Sequence, residues 1–165
     1  MKLKEIELVV KETPVKYDGR EILIKDDIIK STQTENNSSS KLTELLINYF
    51  SLYNDEKERF ISLLFDSKLK LIGIDLISIG TINQSLAHPR EVFRKAVISG
   101  AAFVMIAHNH PSGDTTPSAE DIKVYRNLSE CSEILNIKLL DSFIVSLKPE
   151  QESVLSMRKF LSYDN

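Results

Sequence analysis

The sequence predicts an α/β domain: a mixed β-sheet with helices on both faces. Three observations carry this. After residue 41, strand-like and helix-like periodicities alternate along the chain. The run Ala101–Ala107 is wholly apolar, the pattern of a central strand covered on both sides. The two stretches of helical periodicity that flank this run open on start signals, Pro89 and Ser118.

Taken in order, residues 1–30 contain two β-like segments, Glu5–Val10 and Glu21–Ile24, with Asp18-Gly19 as a turn. They read as a small hairpin-like arm, packed on the main domain or on another subunit. The ten residues Ser31–Ser40 hold no apolar side chain and read as a linker. The division expected is therefore an arm and linker over 1–40 and one domain over 41–165. Leu42, Leu45, Leu46, Tyr49 and Phe50 then share one helical face, with the preceding serines available as N-cap. Phe60–Phe65 and Leu71–Gly80 read as strands joined by the polar Asp66–Lys70. A second helix starts near Pro89, carries Val92, Phe93, Ala96 and Val97 as its apolar stripe, and ends at Gly100. Residues 111–117, with Pro111, Gly113 and Pro117, form a loop. A third helix begins at Ser118 and turns Ile122, Tyr125, Leu128, Cys131 and Leu135 toward a core. Lys138–Leu147 is a further strand, and Val154–Phe160 adds a short last one.

Composition bounds the function. A chain of 165 residues can bury a core of its own. No apolar run approaches the roughly 18–20 residues that a membrane span requires, and the N-terminus has no secretory apolar stretch. The single cysteine, Cys131, cannot form an internal disulfide, so a reducing cytoplasm is the expected compartment. Cys131 lies on the apolar stripe of the third helix and reads as a buried, inert thiol. The 21 Lys and Arg against 24 Asp and Glu argue against direct nucleic-acid binding, which usually shows a basic surplus.

The chemistry concentrates in residues 107–121. His108 and His110 are two apart, so an extended backbone points both imidazoles the same way. Asp121 follows in the first turn of the third helix, and the intervening loop can fold that turn back onto the histidines. Two His and one carboxylate make three ligands and leave a fourth position for water, the arrangement of a catalytic zinc. A plainer reading stands beside it. Ser118-Ala-Glu-Asp121 is also an ordinary capping box, and His-x-His alone is common in loops. His88, ahead of the second helix, reads as a loop or cap residue, because a fourth protein ligand would displace the water.

The spacing His108-x-His110, seven residues, Ser118-x-x-Asp121 resembles the JAMM (MPN+) zinc motif. The string His108-Asn-His-Pro-Ser-Gly-Asp114, with Gly80-Thr81 and His88-Pro-Arg-Glu-Val-Phe93, resembles the RadC-like branch. The likeness runs from about residue 41 to about residue 147 and is most specific between 88 and 121. It implies a three-layer fold similar to the cytidine-deaminase arrangement and one zinc per chain, held by His108, His110 and Asp121. It also implies an upstream glutamate as general base, a position matched by Glu58, and Ser118 as a donor to the oxyanion. Glu91 is the rival base; otherwise it is a first-turn acid that suits the helix dipole. Glu56 and Glu120 read as solvated surface acids. The chain departs from the family twice. Nothing in it resembles the helix-hairpin-helix region of longer members, and Asp141-Ser142 stands where the family usually shows Asp-His.

The function so implied is a zinc-dependent hydrolase of peptide or isopeptide bonds, acting on a peptide or protein. The alternative is an accessory protein of DNA repair or recombination whose zinc domain is a binding module. A purely structural zinc domain is a third reading. Oligomerisation is expected, if at all, through the N-terminal arm.

Overall fold

The computed structural model describes residues 12–17, 20–25, 38–51, 57–80, 87–148 and 153–163. Two strands, β1 (Glu12–Tyr17) and β2 (Arg20–Lys25), pair antiparallel with Val15 opposite Ile22 and Tyr17 opposite Arg20. The expected strand Glu5–Val10 lies outside the described residues. β2 pairs with β1, where Pro14 and the charged Glu12 and Lys16 hide the alternation of Thr13, Val15 and Tyr17. β1 lies close to β4, the edge strand of the main sheet described next.

The main sheet has the order β4-β3-β5-β6-β7: β3 (Glu58–Phe65), β4 (Leu71–Gly80), β5 (Phe103–Asn109), β6 (Lys138–Ser146) and β7 (Ser153–Ser156). β3 runs antiparallel to both β4 and β5, β5 and β6 are parallel, and β7 is antiparallel to β6. The expected mixed sheet is therefore present, with β5 as its middle strand. Helix α1 (Ser38–Ser51) packs Leu46, Tyr49 and Phe50 on one face, against Ile61, Leu63, Met105, Ala107, Phe143 and Val145. Helices α2 (Pro89–Ser99) and α3 (Ala119–Leu135) cover the other face with Val92, Phe93, Ala96 and Leu128, against Phe60, Leu64, Val104 and Ile106. The period of two along β3 and β5 thus sorts alternate side chains into two separate cores. α4 (Met157–Tyr163) follows β7 directly and buries Met157. No helix among the described residues is long and apolar enough to cross a membrane.

Several expected boundaries shift. α1 starts at Ser38, so the last three linker residues are helical and Ser39 and Ser40 cannot serve as N-cap; residues 31–37 are outside the description. Val97 and Leu135 are 59% and 45% exposed rather than core-facing. Both sit in the last turn of a helix, where the stripe rotates off the sheet. Cys131 is half-buried beside the α2–α3 core. The segment 154–160 is not one strand: the chain leaves β7 at Ser156 and turns helical. Asp141 of β6 secures that turn, accepting bonds from Ser156 Oγ at 2.6 Å and the Arg158 amide at 3.1 Å. A helix N-terminus capped from a neighbouring strand leaves no local sequence signal.

Candidate metal centre

The site forms where β5 ends. Its last residues continue the two-residue alternation, so His108 joins Phe60 on the α2–α3 face. The His108 ring stacks on that of Phe60 at 5.6 Å, with the planes 8° apart. The strand pairing stops there on the β3 side, at Phe60 opposite His108. The chain then bends. The His110 amide still bonds to Val145 O of β6 at 2.9 Å, and Gly113 N closes a turn onto His110 O at 3.0 Å. Gly113 has φ +89, and a Cβ there would come within 2.5 Å of Lys148 Cδ. Only glycine allows this tight turn to lie under the lysine stem. The turn brings the Asp114 carbonyl to 2.6 Å from His110 Nδ1. That carbonyl can only accept, so Nδ1 carries the proton and Nε2 presents a lone pair.

α3 then starts as the sequence expects. Ser118 is its N-cap in a reciprocal capping box with Asp121. Asp121 Oδ2 accepts from the Ser118 amide at 2.8 Å and from its hydroxyl at 2.6 Å. These bonds hold the carboxylate toward the histidines. Asp121 Oδ1 lies 3.2 Å from His108 Nε2, Oδ2 lies 3.6 Å from His110 Nε2, and the two Nε2 atoms are 3.0 Å apart. Glu58, the first residue of β3, is buried with Oε1 at 3.9 Å from His108 Nε2. Ligand-type atoms of all four residues fall within 4.8 Å of one another.

This donor set fits a cation. A zinc-sized ion about 2.0–2.1 Å from each of several tetrahedral donors sets those donors about 3.3 Å apart. The three shortest separations bracket that value. A lone pair on His110 Nε2 facing a second imidazole nitrogen and a carboxylate is also an arrangement that positive charge relieves. His108 Nδ1, buried, has no hydrogen-bond partner among the described residues. Of the two imidazoles, only His110 therefore has its orientation fixed by a bond to its far nitrogen.

The electrostatics follow from burial and proximity. Burial disfavours ionised Asp121, yet the adjacent imidazoles of His108 and His110 and the Ser118 hydroxyl outweigh it and hold its pKa far below the usual carboxylate range. Burial pushes the Glu58 carboxyl up, only partly offset by the two histidines. For His110 burial acts downward, but the nearby Asp121 carboxylate and the bond to the Asp114 carbonyl raise its pKa above the ordinary value. A small cavity of about 20 Å³ opens onto Glu58, Phe60, His108, Asp121, Val124 and Ser142, room for about one water molecule.

The structure thus brings together Glu58, His108, His110, Asp121 and Ser118. It does not bring Glu91 there. That carboxylate bonds Arg90 at 3.2 Å and Arg94 at 3.0 Å on the outer side of α2. His88 caps α2 through Nδ1, which accepts the Arg90 amide at 3.1 Å. Glu56 lies outside the described residues. Glu120, read as a surface acid, is half exposed but also reaches the rim of the cavity. Sequence reasoning missed the Asp114 carbonyl, the Phe60 stack and the part played by Asn109. All three depend on backbone turns or on pairing between distant strands.

Fold and donors together define an α/β domain with a cluster of His108, His110, Asp121 and Glu58 that could hold a metal ion, at the C-terminal end of its middle strand. Residues 36–161, well over half of the chain, match the family described as RadC-like JAB domain. The chain belongs to that family. Among curated proteins it is similar to a UPF0758 protein of Moorella thermoacetica, 49% identical over 90 residues, 54% of this chain and 39% of that protein. A UPF0758 protein of Finegoldia magna is 47% identical over 102 residues, 62% of this chain and 44% of that protein. One from Methanosarcina mazei is 44% identical over 108 residues, 62% and 47% of the two chains. The aligned regions cover less than half the length of these relatives.

Proposed function

We propose that the chain is a zinc-dependent hydrolase of peptide or isopeptide amide bonds. One observation carries the reading: donor atoms of three residues converge near ligand spacing while a fourth group, the buried Glu58 carboxylate, stands slightly farther off. Zinc held by His108, His110 and Asp121 would supply a Lewis acid for the scissile carbonyl and lower the pKa of a water in the fourth position. Glu58 takes the proton from the attacking water and hands it to the leaving nitrogen. Phe60 and Val124 wall the cavity and exclude bulk water. Ser118 is the donor to the oxyanion; its hydroxyl must turn from Asp121 Oδ2 to serve. The substrate is a peptide or protein segment laid across the end of β5.

The test is amide cleavage by the zinc-loaded full chain, on peptides and on lysine-linked isopeptides. We expect cleavage that a chelator removes and added zinc restores, and that Glu58→Gln lowers by about 10²–10⁴-fold. Cleavage that persists in His108→Ala after chelation, or zinc-loaded protein that cleaves neither class, would overturn the assignment.

A further inference from the structure

We propose that Asn109 is a positioning residue whose side-chain amide fixes the backbone on both sides of Glu58. The inference rests on reading Glu58 as the proton acceptor.

Asn109 lies between His108 and His110, and strand alternation turns its side chain away from the metal-facing side. It is 3% exposed, so its amide must find partners inside the protein. Nδ2 donates to the Lys57 carbonyl at 3.1 Å, and Oδ1 accepts from the Arg59 amide at 2.8 Å. Those two groups flank Glu58. The orientation of the amide is fixed, because a backbone N–H only donates and a carbonyl only accepts.

The position of this bridge explains its value. The β3–β5 ladder ends at Phe60 opposite His108, one residue short of Arg59. Beyond that point the Asn109 side chain replaces the missing peptide group and continues the ladder. On the other edge of β3, Glu58 and Arg59 pair with Gly80 and Ile79 of β4. The Glu58 backbone is therefore held from both sides. Its side chain is not: Oε2 is buried without a hydrogen-bond partner among the described residues. The carboxylate owes its place to the backbone beneath it. Because Asn109 is bonded covalently to both histidines, one residue sets the distance from base to ligands. A side chain that does this needs a donor and an acceptor on one short planar arm. Aspartate lacks the donor, serine cannot span both groups, and glutamine is one methylene too long.

The test needs no substrate. Cobalt(II) is the metal probe, read by its visible spectrum, and acetohydroxamic acid is the ligand probe. Acetohydroxamic acid releases a proton on binding a metal, and Glu58 is the group placed to accept it. In the full chain we expect Glu58→Gln and Asn109→Ala each to keep one metal per chain. Each should weaken acetohydroxamate about tenfold or more, the scale of losing a group that orients a metal site. The double variant should be no weaker than Glu58→Gln alone, because both act through one carboxylate. Parental affinity in either single variant, multiplied losses in the double, or loss of metal from Asn109→Ala would each overturn the proposal. If Asn109→Ala does not fold, Asn109→Ser, which cannot bridge both groups, takes its place with the same expectations. No arm of the test uses amide hydrolysis. A parent chain that cleaves no amide counts against the hydrolase reading and leaves the positioning role standing.

Discussion

Helices α2 and α3 are built alike and serve differently. Each opens on a side chain that caps its own first turn, His88 in one and Ser118 in the other, and each places an acid in that turn. Each closes on a left-handed residue, Gly100 at φ 67 and Asn136 at φ 54, and the next amide bonds back to Ala96 O or Ser132 O. They then enter β5 and β6, parallel neighbours in the sheet. The helix dipole favours both first-turn acids equally. What separates them is the neighbour. α2 lies over β3 and β4, and Glu91 turns outward to Arg90 and Arg94. α3 lies over β6, and its start faces the end of β5, where Asp121 meets two imidazoles. The motif makes the cap; the element across from it decides whether the acid also joins the donor cluster.

That difference can be broken most severely at the donors. Replacing His108 or His110 by Ala, or Asp121 by Asn, should cost more than the roughly 10–100-fold in zinc affinity that outer-shell changes cost. Glu91→Gln should leave one zinc per chain, as elemental analysis of dialysed protein would show. Next in size is turnover. Glu58→Gln should lower it by about 10²–10⁴-fold while keeping zinc, whereas Glu91→Gln should change it only a few-fold. Equal losses in the two variants would erase the distinction between the acids.

The caps give a smaller and more discriminating pair. Ser118→Ala and His88→Ala should each destabilise the fold by about 1 kcal/mol in chemical denaturation. Only Ser118→Ala should also weaken zinc, because its hydroxyl helps to orient Asp121. The smallest effect is a slope with pH in the metal-free chain. His110 has a folded pKa above its ordinary value of 6.5, so its stabilising contribution is complete below that value and is lost as pH rises through the folded one. Glu58, raised by burial, adds the same sign. Metal-free protein should therefore lose stability toward higher pH, while zinc affinity gains, since the ligands must be deprotonated. Denaturation of chelated His110→Asn should show a shallower slope.

How far the sequence reaches is plain from particular residues. Gly100, Pro89 and the Ser118–Asp121 box announced both ends of α2 and the start of α3, because caps are local chemistry. The run Ala101–Ala107 announced a central strand, because burial on both faces leaves no polar position. The convergence of His108, His110 and Asp121 followed from alternation and a short loop. The neighbourhood of Glu58 did not follow from the residues themselves. It was expected there only by resemblance, and the rivalry with Glu91 could not be settled by spacing, since it depends on which strands pair. Ser142 at the cavity wall and the Asp141 cap on α4 were equally out of reach, both arising from β6 lying beside β5 and β7.

The contacts that build the centre also differ widely in sequence separation, and chain entropy favours closing the short ones first. His108, His110 and Asp121 are joined by the short loop 111–117, whereas Glu58 is tied in through contacts such as Arg59 to Asn109, 50 residues apart in the chain. Closing 50 residues rather than the 13 that separate His108 from Asp121, about two doublings in length, costs roughly 1.2 kcal/mol more chain entropy. It must also await antiparallel pairing of distant strands, the slow kind of contact in folding. A half-folded chain could hold a cation in its imidazoles and lack the group that would make use of it. Docking of β3 is then the step that arms the molecule.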